Sequence, residues 1–377
     1  MEIKEKLESL RREIDIVDKQ MQALFADRMK ISESIAQVKA EGNLAIEDEV
    51  REQYVLNLAR LAACEKNQAE MLAFMKTLIA FSKMKQRQEL MLVDPIELSK
   101  PAAMKTTGVS VAYQGVPGAW SHHSAQELFK EASYNPCEDF ADVFEAIKKG
   151  RADYGVLPIE NSQTGAIGEV YDLLRKYSCF IVGEIWIPIA QCLLAIKGAE
   201  LTDIREIFSH PEGFKQSRRF LKNKNWDLTA CRNTAYAAQL VARENEKRSA
   251  AIGSGKAAEV YGLSVLVPDI MDNPHNKTRF IAIAAEPVYD ENCATTSITF
   301  STVHQSGALC SVLQCFMLSG INISRIESRP AADNKYRFFA DLQGNIMSED
   351  MKDALRQAAA QSSYFEVLGC YPTAAGK

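Results

Sequence analysis

The chain has 377 residues, of which 47% are hydrophobic and 25% are charged, and its formal net charge is -5. This composition is typical of a soluble globular protein, and the length favours two or three domains. The charge balance lacks the positive excess of a nucleic-acid-binding surface, and no run of about 18 apolar residues could span a membrane. We therefore expect neither nucleic acid nor a membrane as a partner.

Cysteine and histidine usage argues against disulfides and metals. The nine cysteines are scattered without a C-x-x-C pair, as in proteins that keep reduced thiols in the cytoplasm. The five histidines include one adjacent pair, His122 and His123, and none has metal-ligand spacing with the cysteines. Residues 1–6 are too polar for a signal peptide. We expect a cytoplasmic protein with no metal and no cofactor.

Residues 1–92 have a helical pattern, with no proline and one glycine, Gly42. The pattern predicts a first helix over residues 3–40, which would be about 55 Å long at roughly 1.5 Å per residue. A second helix should begin near residue 47, and a third should cover residues 67–92. Because so long a helix needs a partner along its length, an intertwined dimer is a reasonable hypothesis.

Arg28 interrupts the apolar seam of the first helix. Apolar side chains recur before it and after it at four–three spacing: Ile3, Leu7, Leu10, Ile14, Val17, Met21, Leu24, Ile31, Ile35 and Val38. Burying a charged group in such a seam costs on the order of several kcal/mol in lost hydration, and only a group of opposite charge can offset that cost. Two interpretations stay open from this residue alone. Arg28 could pair with a carboxylate of the protein or set the register of the helices, or it could bind an anionic ligand between helices.

An ordered set of polar residues accompanies Arg28. Asp48, Arg51 and Glu52 share one helix face, and Ser82 and Gln86 lie one turn apart. With the run from Leu10 to Asp15 and with Lys39, these residues resemble the all-helical chorismate mutases over residues 1–92. The resemblance implies that a substrate dianion is held by three arginines, Arg11, Arg28 and Arg51, with Arg11 supplied by the other subunit. It further implies that Lys39 and Gln86 address the breaking ether oxygen, while Glu52, Asp48 and Ser82 complete the substrate-binding site.

Residues 93–107 read as a linker because they contain Pro95, Pro101 and two threonines. From residue 108 strands and helices alternate, which predicts an α/β region. Apolar runs at residues 109–113, 154–158 and 250–253 each lead into a turn and a helix. Ligands of such sheets bind outside the carboxyl ends of the strands.

Four segments of this region carry polar residues at such turns. They are a glycine turn before a helix that Ser121 should cap, then Glu160-Asn161-Ser162, Ser209-His210-Pro211 with Gln216, and Thr278-Arg279-Phe280. Together they resemble the prephenate dehydratases over residues 108–288. The resemblance implies two α/β lobes of the periplasmic-binding-protein type. Lobe one would comprise residues 108–184 and 267–288, with lobe two between them.

The alternation of an extended strand assigns directions within the last segment. Thr278 and Phe280 should share the cleft face, with Phe280 against the substrate ring, and Arg279 should be a structural ion-pair partner. Thr278 would position or relay the proton that the leaving hydroxyl needs. Glu160 would serve as the proton reservoir if burial favours its protonated form. Asn161, Gln216 and Ser209 would contact the substrate.

From residue 295 the pattern predicts a ferredoxin-like βαββαβ unit to residue 377. Its strands should lie at residues 297–301, 321–326, 336–342 and 365–370, with helices at 308–318 and 349–361. Two turns of the unit, Gly307-Ala308-Leu309 and Glu327-Ser328-Arg329-Pro330, resemble the amino-acid-binding regulatory (ACT) domain of prephenate dehydratases. The resemblance implies L-phenylalanine as an effector and feedback inhibition.

The order of the three regions resembles the bifunctional chorismate mutase/prephenate dehydratase family of phenylalanine biosynthesis. It implies the substrates chorismate and prephenate, and a homodimer or higher homo-oligomer. Two alternatives stay open: a dehydratase that prefers arogenate, and a non-enzymatic metabolite-sensing regulator. The second would need a DNA-contacting surface, but residues 1–92 carry 15 Lys and Arg against 16 Asp and Glu and show no helix-turn-helix spacing.

Overall fold

The computed structural model describes residues 2–90, 102–330 and 336–373. Its N-terminal part consists of helices α1 (Glu2–Glu41), α2 (Glu49–Ala62) and α3 (Gln68–Leu90), with one 3-10 turn before α3 (Glu65–Asn67). The three helices expected from the sequence are confirmed. Asp48 caps α2, because its carboxylate accepts the backbone N–H of Arg51 at 2.9 Å. Residues 91–101, which include most of the expected linker, lie outside the described residues.

The N-terminal half of α1 exposes its apolar seam. The seam residues from Ile3 to Leu24 are each at least 45% exposed. Nearer its C-terminus α1 packs on α3, where the rings of Phe25 and Phe81 meet edge to face with 5.8 Å between centroids. An apolar groove of about 780 Å³ runs beside this contact, between Met21 and Phe74. So much exposed apolar surface is typical of a face that another chain covers.

The α/β region begins with five strands and three helices. The strands are β1 (Ser110–Gln114), β2 (Ser133–Cys137), β3 (Tyr154–Asn161), β4 (Gly165–Ala166) and β5 (Phe180–Pro188). The helices are α4 (Trp120–Leu128), α5 (Phe140–Lys148) and α6 (Gly168–Tyr177). The expected cap at Ser121 is wrong. The cap position of α4 is Ala119. Ser121 is the second residue of the helix, and it is buried.

A second sheet follows, with strands β6 (Cys192–Ala195), β7 (Glu206–Ser209), β8 (Asp227–Ala230), β9 (Ser249–Gly253) and β10 (Ser264–Val267). Its helices are α7 (Pro211–Gln216), α8 (Arg218–Leu221), α9 (Thr234–Glu244) and α10 (Gly255–Tyr261). Strand β11 (Lys277–Ala284) then returns to the first sheet.

The strand orders define two lobes. The first sheet has the order β2-β1-β3-β11-β5 with β4 beside β3, and the second has the order β10-β6-β9-β7-β8. The chain crosses between them at residues 189–191 and 268–276. The expected two-lobed α/β fold is confirmed, and both crossings pass the carboxyl end of β5 and the start of β11.

The C-terminal part forms one four-stranded sheet with two helices. Its elements are β12 (Thr295–Ser301), α11 (Ala308–Leu318), β13 (Ile323–Pro330), β14 (Tyr336–Gln343), α12 (Glu349–Ala360) and β15 (Tyr364–Tyr371). The order β13-β14-β12-β15 is that of a ferredoxin-like unit, as the sequence predicts.

The C-terminal sheet touches the first lobe closely. At Gly369 of β15 the backbone approaches β5 so tightly that a Cβ atom would overlap the carbonyl oxygen of Ile181. Glycine is therefore required where the two sheets meet. Within the described ranges, no helix combines the length and the apolarity needed to cross a membrane.

Two candidate active sites

Arg28 lies between α1 and α3 and points its guanidinium at α3. NH1 donates to the carbonyl oxygen of Leu78 at 2.7 Å and also to the hydroxyl of Ser82. Ser32 Oγ in turn donates to Ser82 Oγ at 2.8 Å. Partial burial lowers the pKa of Arg28 from its ordinary value. Among the described residues no carboxylate pairs with Arg28, so the reading of an internal ion pair finds no support.

Gln86 lies one turn beyond Ser82 on the same face of α3. Its side chain is 6% exposed, and its amide oxygen has no hydrogen-bond partner in the described part of the chain. A buried polar atom without a partner is costly unless a ligand or water satisfies it. Arg28, Ser82 and Gln86 therefore form one polar, partly unsatisfied surface between two helices.

A second polar group lies where α1 ends and α2 begins. Lys39 Nζ donates to the carbonyl oxygen of Ile46 at 2.6 Å, in the loop just before Asp48. Glu52, one turn into α2, receives Lys83 Nζ at 3.0 and 3.1 Å on its two carboxylate oxygens. Lys83 and Ser32 were not predicted from the sequence, because both bond to residues on other helices and no spacing within one helix reveals them.

Of the other two arginines, Arg11 lies far from this group in a single chain, whereas Arg51 lies on α2 beside Glu52. Arg11 is exposed and precedes Arg28 by 17 residues, which is about 25 Å along a straight helix. Arg51 is also exposed, with its guanidinium over the ring of Tyr54 at 5.2 Å. One chain alone does not bring Arg11 and Arg28 to the same place.

In the α/β region, β3 and β11 place Asn161 opposite Thr278. Asn161 Nδ2 donates to Thr278 Oγ1 at 2.9 Å and to Asn276 Oδ1 at 2.9 Å. Its own Oδ1 accepts the backbone N–H groups of Gln163 and Thr164 at 3.0 and 3.2 Å. Because the Thr278 oxygen already accepts a hydrogen bond, its O–H remains available to donate to another partner.

Buried polar atoms without partners gather near the crossings between the lobes. In the described ranges they include Asn276 Nδ2, Gln191 Oε1 and Ser217 Oγ. Gln191 Nε2 donates to Gln216 Oε1 at 3.3 Å, and Ile189 N–H donates to the carbonyl oxygen of Asn276 at 2.9 Å. Unsatisfied buried groups of this kind are typical of a polar ligand site, and these three lie at or next to the crossings between the two lobes. Gln191 was missed because it lies in a crossing segment with no motif around it.

Glu160 does not share the sheet face of Asn161 and Thr278. Glu160 pairs in register with Arg279, on the face of the sheet opposite to Asn161 and Thr278. There its Oε2 lies 2.9 Å from Nε of Arg325 on β13. This contact lacks hydrogen-bond alignment, but it places the carboxylate beside a guanidinium on the face away from Thr278, which does not fit the expected role as a proton reservoir at the cleft.

Two further residues that were expected to contact the substrate are buried in this structure. Phe280 is 2% exposed and packs in the lobe-one core with Phe129 and Tyr154, after a register shift that follows Arg279. Ser209 is fully buried, and its hydroxyl donates to the carbonyl oxygen of Ile252 at 3.0 Å. Neither side chain is placed to touch a substrate between the lobes.

Arg279 is a structural ion-pair partner, as the strand alternation predicts. Nε donates to Glu184 and NH1 to Asp341, both at 2.6 Å, and NH2 donates to the Tyr371 hydroxyl at 2.9 Å. Burial opposes the charged form, but Tyr371, Asp341 and Glu184 together raise the pKa of Arg279 above its ordinary value. This network bonds β11, immediately beside Thr278, to the C-terminal sheet.

The two expected effector segments face different neighbours. Gly307, with φ +85°, precedes α11, and with Ala308 it lines a cavity of about 630 Å³ against α2 and α3. Leu309 packs on the core of the C-terminal sheet. The second segment is the end of β13, where Arg329 NH2 lies 3.6 Å from Asp172 of α6. In that segment Glu327 lies 4.0 Å from Arg325, and Ser328 and Pro330 are exposed.

Comparison with known proteins bears directly on these two sites. A family model described as chorismate mutase type II matches residues 10–87, and one described as prephenate dehydratase matches residues 111–288. A bifunctional chorismate mutase/prephenate dehydratase from Enterobacter agglomerans is 33% identical over 375 residues, covering 97% of this chain and 95% of the relative. The chain belongs to this family of bifunctional enzymes.

Two further relatives each cover 70% of this chain. The chloroplastic arogenate dehydratase/prephenate dehydratase 2 of Arabidopsis thaliana is 38% identical over 277 residues, which cover 70% of this chain and 73% of the relative. The crystal structure of prephenate dehydratase from Arthrobacter aurescens in complex with L-Phe superposes with a TM-score of 0.65 at 29% identity. It covers 70% of this chain and 90% of that one.

Membership of the family gives the chain two reactions. It rearranges chorismate to prephenate, and it decarboxylates and dehydrates prephenate to phenylpyruvate, in phenylalanine biosynthesis. The alternative of a non-enzymatic regulator is wrong. The helical surface around Arg28 lies within the range matched as a mutase, and the cleft around Thr278 lies within the range matched as a dehydratase.

Proposed function

We propose that the mutase reaction takes place on the surface formed by Arg28, Ser82 and Gln86, with Lys39 beside it. The observation that carries this assignment is a cation in an apolar seam with no carboxylate partner among the described residues. A Claisen rearrangement needs no nucleophile and no obligatory proton transfer. The enzyme has to hold a flexible diacid in its reactive conformation and stabilise charge on the ether oxygen, which fixed cations and donors can do.

The roles at this site follow from chemistry and reach. Arg28 and Arg51 bind the substrate carboxylates, and Lys39 and Gln86 donate to the ether oxygen. Glu52 and Asp48 meet the ring hydroxyl and the polar rim. Gln86 would donate through Nε2, while its buried Oε1, which has no partner among the described residues, would accept from a ligand or water.

For the dehydratase we propose that Thr278 donates its hydroxyl proton toward the leaving hydroxyl of prephenate. In that reaction the bond to the ring carboxylate breaks, its electrons enter the ring, and the hydroxyl leaves as water after gaining a proton. Asn161 orients Thr278 through the 2.9 Å hydrogen bond, and Gln216 binds substrate oxygens beside Gln191. Since Glu160 lies beside Arg325 on the opposite face of the sheet, Thr278 is the residue that we assign to deliver this proton.

We propose a dimer in which α1 of one chain lies along the other. The exposed seam from Ile3 to Leu24 supports this arrangement, and so does the position of Arg11, which could serve only a partner's site. The functional units proposed are a mutase over residues 1–92, a linker over 93–107, a dehydratase over 108–288 and a regulatory domain over 295–377. A higher homo-oligomer built from such dimers is compatible with the same surfaces.

We propose that the C-terminal sheet is an ACT-type regulatory domain that binds L-phenylalanine and inhibits the enzyme. The ferredoxin-like strand order and the L-Phe complex of the Arthrobacter aurescens relative support this role. The effector would bind through Gly307-Ala308-Leu309 and Glu327-Ser328-Arg329-Pro330, between two copies of the domain, because these segments face different neighbours in one chain. Nine free cysteines support a cytoplasmic location.

One experiment tests these assignments together. Purified protein is incubated with chorismate, with and without L-phenylalanine, while prephenate and phenylpyruvate are followed, and a parallel reaction receives arogenate. We expect both products from chorismate, and less phenylpyruvate when phenylalanine is present. Faster turnover of arogenate than of prephenate would instead establish the arogenate preference of the kind that the Arabidopsis relative's name suggests. Unchanged rates with bound phenylalanine would contradict the regulatory role.

A further inference from the structure

Helix α3 is shared between the mutase site and the C-terminal domain. One of its faces carries Leu78, Ser82 and Gln86, which look toward Arg28. The adjoining face carries Met84, which packs on the core of the C-terminal sheet, and Arg87. A single rigid helix therefore has substrate-binding groups on one side and regulatory-domain contacts on the other.

Arg87 forms a bridge from this second face. Its NH1 donates to Oε1 of Gln361 at 2.6 Å, and its NH2 is ion-paired with the carboxylate of Glu47. Gln361 is the C-cap residue of α12, so it belongs to the C-terminal domain. Glu47 belongs to the loop between α1 and α2. One planar guanidinium thus fixes the distance between a regulatory helix and a loop of the mutase, since its donors have a rigid geometry.

Lys39, the proposed catalytic lysine, also contacts the loop that contains Glu47. Lys39 Nζ donates to the carbonyl oxygen of Ile46, the residue next to Glu47, at 2.6 Å. The backbone N–H of Leu44 donates to the carbonyl oxygen of Lys39 at 2.9 Å. The position of the Lys39 ammonium consequently depends on where the loop from Leu44 to Asp48 sits.

We infer that Arg87 is a positioning residue for the mutase reaction, and that Gln361 of the C-terminal domain holds it in place. The inference rests on the proposed role of Lys39 at the ether oxygen. Displacing a catalytic group by about 1 Å can cost on the order of a hundredfold in rate. The chain of contacts from Gln361 through Arg87 and Glu47 to Ile46 and Lys39 makes mutase turnover depend on a residue of the regulatory domain.

Removing the Arg87 contacts should change mutase kinetics and should not lower the free energy of unfolding appreciably. The ion pair is partly exposed, with 24% of the Arg87 side chain and 54% of the Glu47 side chain accessible, and pairs of this kind contribute little to folding. A role limited to structure would lower stability and alter both reactions. A role in positioning Lys39 should lower mutase kcat, leave the KM for chorismate within about twofold and leave the dehydratase unchanged, because only the transition state uses the ether-oxygen contact.

The test uses the full-length protein with Arg87→Ala, Gln361→Ala and the double variant. We expect mutase kcat to fall about tenfold for Arg87→Ala and about threefold for Gln361→Ala, with the double variant no worse than Arg87→Ala, since both changes break one path. Arg87→Lys keeps the positive charge opposite Glu47, and in that background Gln361→Ala should have little further effect. Gln357→Ala, one turn earlier on α12, is the matched control and should behave as wild type.

Two further measurements separate this inference from the assignment of Lys39. Amide hydrogen exchange of residues 44–48 should accelerate in Gln361→Ala, and Lys39→Ala should abolish turnover without accelerating that exchange to the same extent. Wild-type mutase kcat in Gln361→Ala, or effects that simply multiply in the double variant, would overturn the inference. Full turnover in Lys39→Ala would instead overturn the proposed mutase site.

Discussion

Glu160 Oε2 lies 2.9 Å from Nε of Arg325, so an ion pair joins β3 of the dehydratase to β13 of the C-terminal domain. Because the pair lies on the sheet face opposite to Thr278, we expect Glu160→Gln to lower dehydratase kcat by less than about tenfold, below the loss that a proton-transferring group causes. We also expect weaker inhibition by phenylalanine. Phenylpyruvate formation across phenylalanine concentrations measures both. A loss of dehydratase kcat as large as that expected for Thr278→Val would indicate that Glu160 acts in the reaction after all.

Thr278 is the residue on which the dehydratase assignment depends most. Thr278→Val preserves the shape of the side chain and removes the hydroxyl, so dehydration should fall by at least about 10²–10³. Mutase turnover should stay at the wild-type level, because the mutase site lies in a separate part of the chain. Thr278→Ser, which keeps a hydroxyl, serves as the control and should retain substantial dehydration. Equal activity of the valine and serine variants would refute a role for the hydroxyl.

Arg28→Leu should separate mutase function from folding. The substitution restores the apolar seam and strands no partner, because Ser82 Oγ keeps its 2.8 Å hydrogen bond from Ser32 and the Leu78 carbonyl oxygen keeps its bond within α3. We expect mutase turnover to be lost, with the free energy of unfolding within about 1 kcal/mol of wild type. Urea unfolding and a chorismate assay measure the two effects. Arg12→Leu, on the exposed part of the same helix, is the control for adding a leucine to α1.

Arg279→Met should destabilise the protein strongly. It leaves the carboxylates of Glu184 and Asp341 in a buried position without their guanidinium, which costs about 3–5 kcal/mol for a broken buried pair. Arg232 forms an exposed pair with Glu138, and Arg232→Met should change stability by less than about 1 kcal/mol. Denaturant unfolding of both variants makes the comparison. Similar losses in the two variants would contradict the account of the buried network.

His122 and His210 should make the stability of the protein depend on pH. Burial lowers the pKa of His122 and of His210 below the ordinary value of 6.5, and each Nδ1 accepts a backbone N–H, from Gly118 and Glu212 respectively. The unfolded state therefore binds more protons than the folded state just below pH 6.5. Their contribution to stability is complete above that pH and is lost progressively as the pH falls from about 6.5 toward the folded-state pKa values.

Unfolding by urea at pH 7.5 and pH 5.5 checks this direction. Wild type should lose free energy of unfolding at the lower pH. The double variant His122→Asn, His210→Asn keeps a side-chain acceptor at both positions that does not titrate, so it should lose less. An equal loss in the two proteins would assign the pH dependence to other groups.

Residues that share one helix were predictable from the sequence, because helical periodicity alone determines which of them face together. Asp48 with Glu52 and Ser82 with Gln86 are such pairs. Lys83 and Ser32 were not predictable, since each contacts a residue on another helix. The strength of the seam pattern likewise predicted α1 almost to its ends, whereas the packing between α3 and the C-terminal domain left no trace in any local pattern.

In the sheets, alternation predicted the direction of Arg279 but not the surroundings of its neighbours. Glu160 was grouped with Asn161 by adjacency, although adjacent residues of a strand face opposite ways. Phe280 was expected beside Thr278, but the register shift after Arg279 and the depth of the lobe-one core place it among apolar side chains. Such depth depends on long-range packing, which a single sequence does not display.

The close approach at Gly369 has a mechanical consequence. Where the backbones of β15 and β5 touch with no side chain between them, the two sheets have no layer along which to slide. Rotation is opposed as well, because Arg279 is bonded to Asp341 and Tyr371 and the ring of Phe339 packs on Tyr171 across the same two parts of the chain. The dehydratase and the C-terminal domain are therefore joined rigidly, and a movement of the C-terminal sheet would carry β5 and β11, with Thr278, along with it.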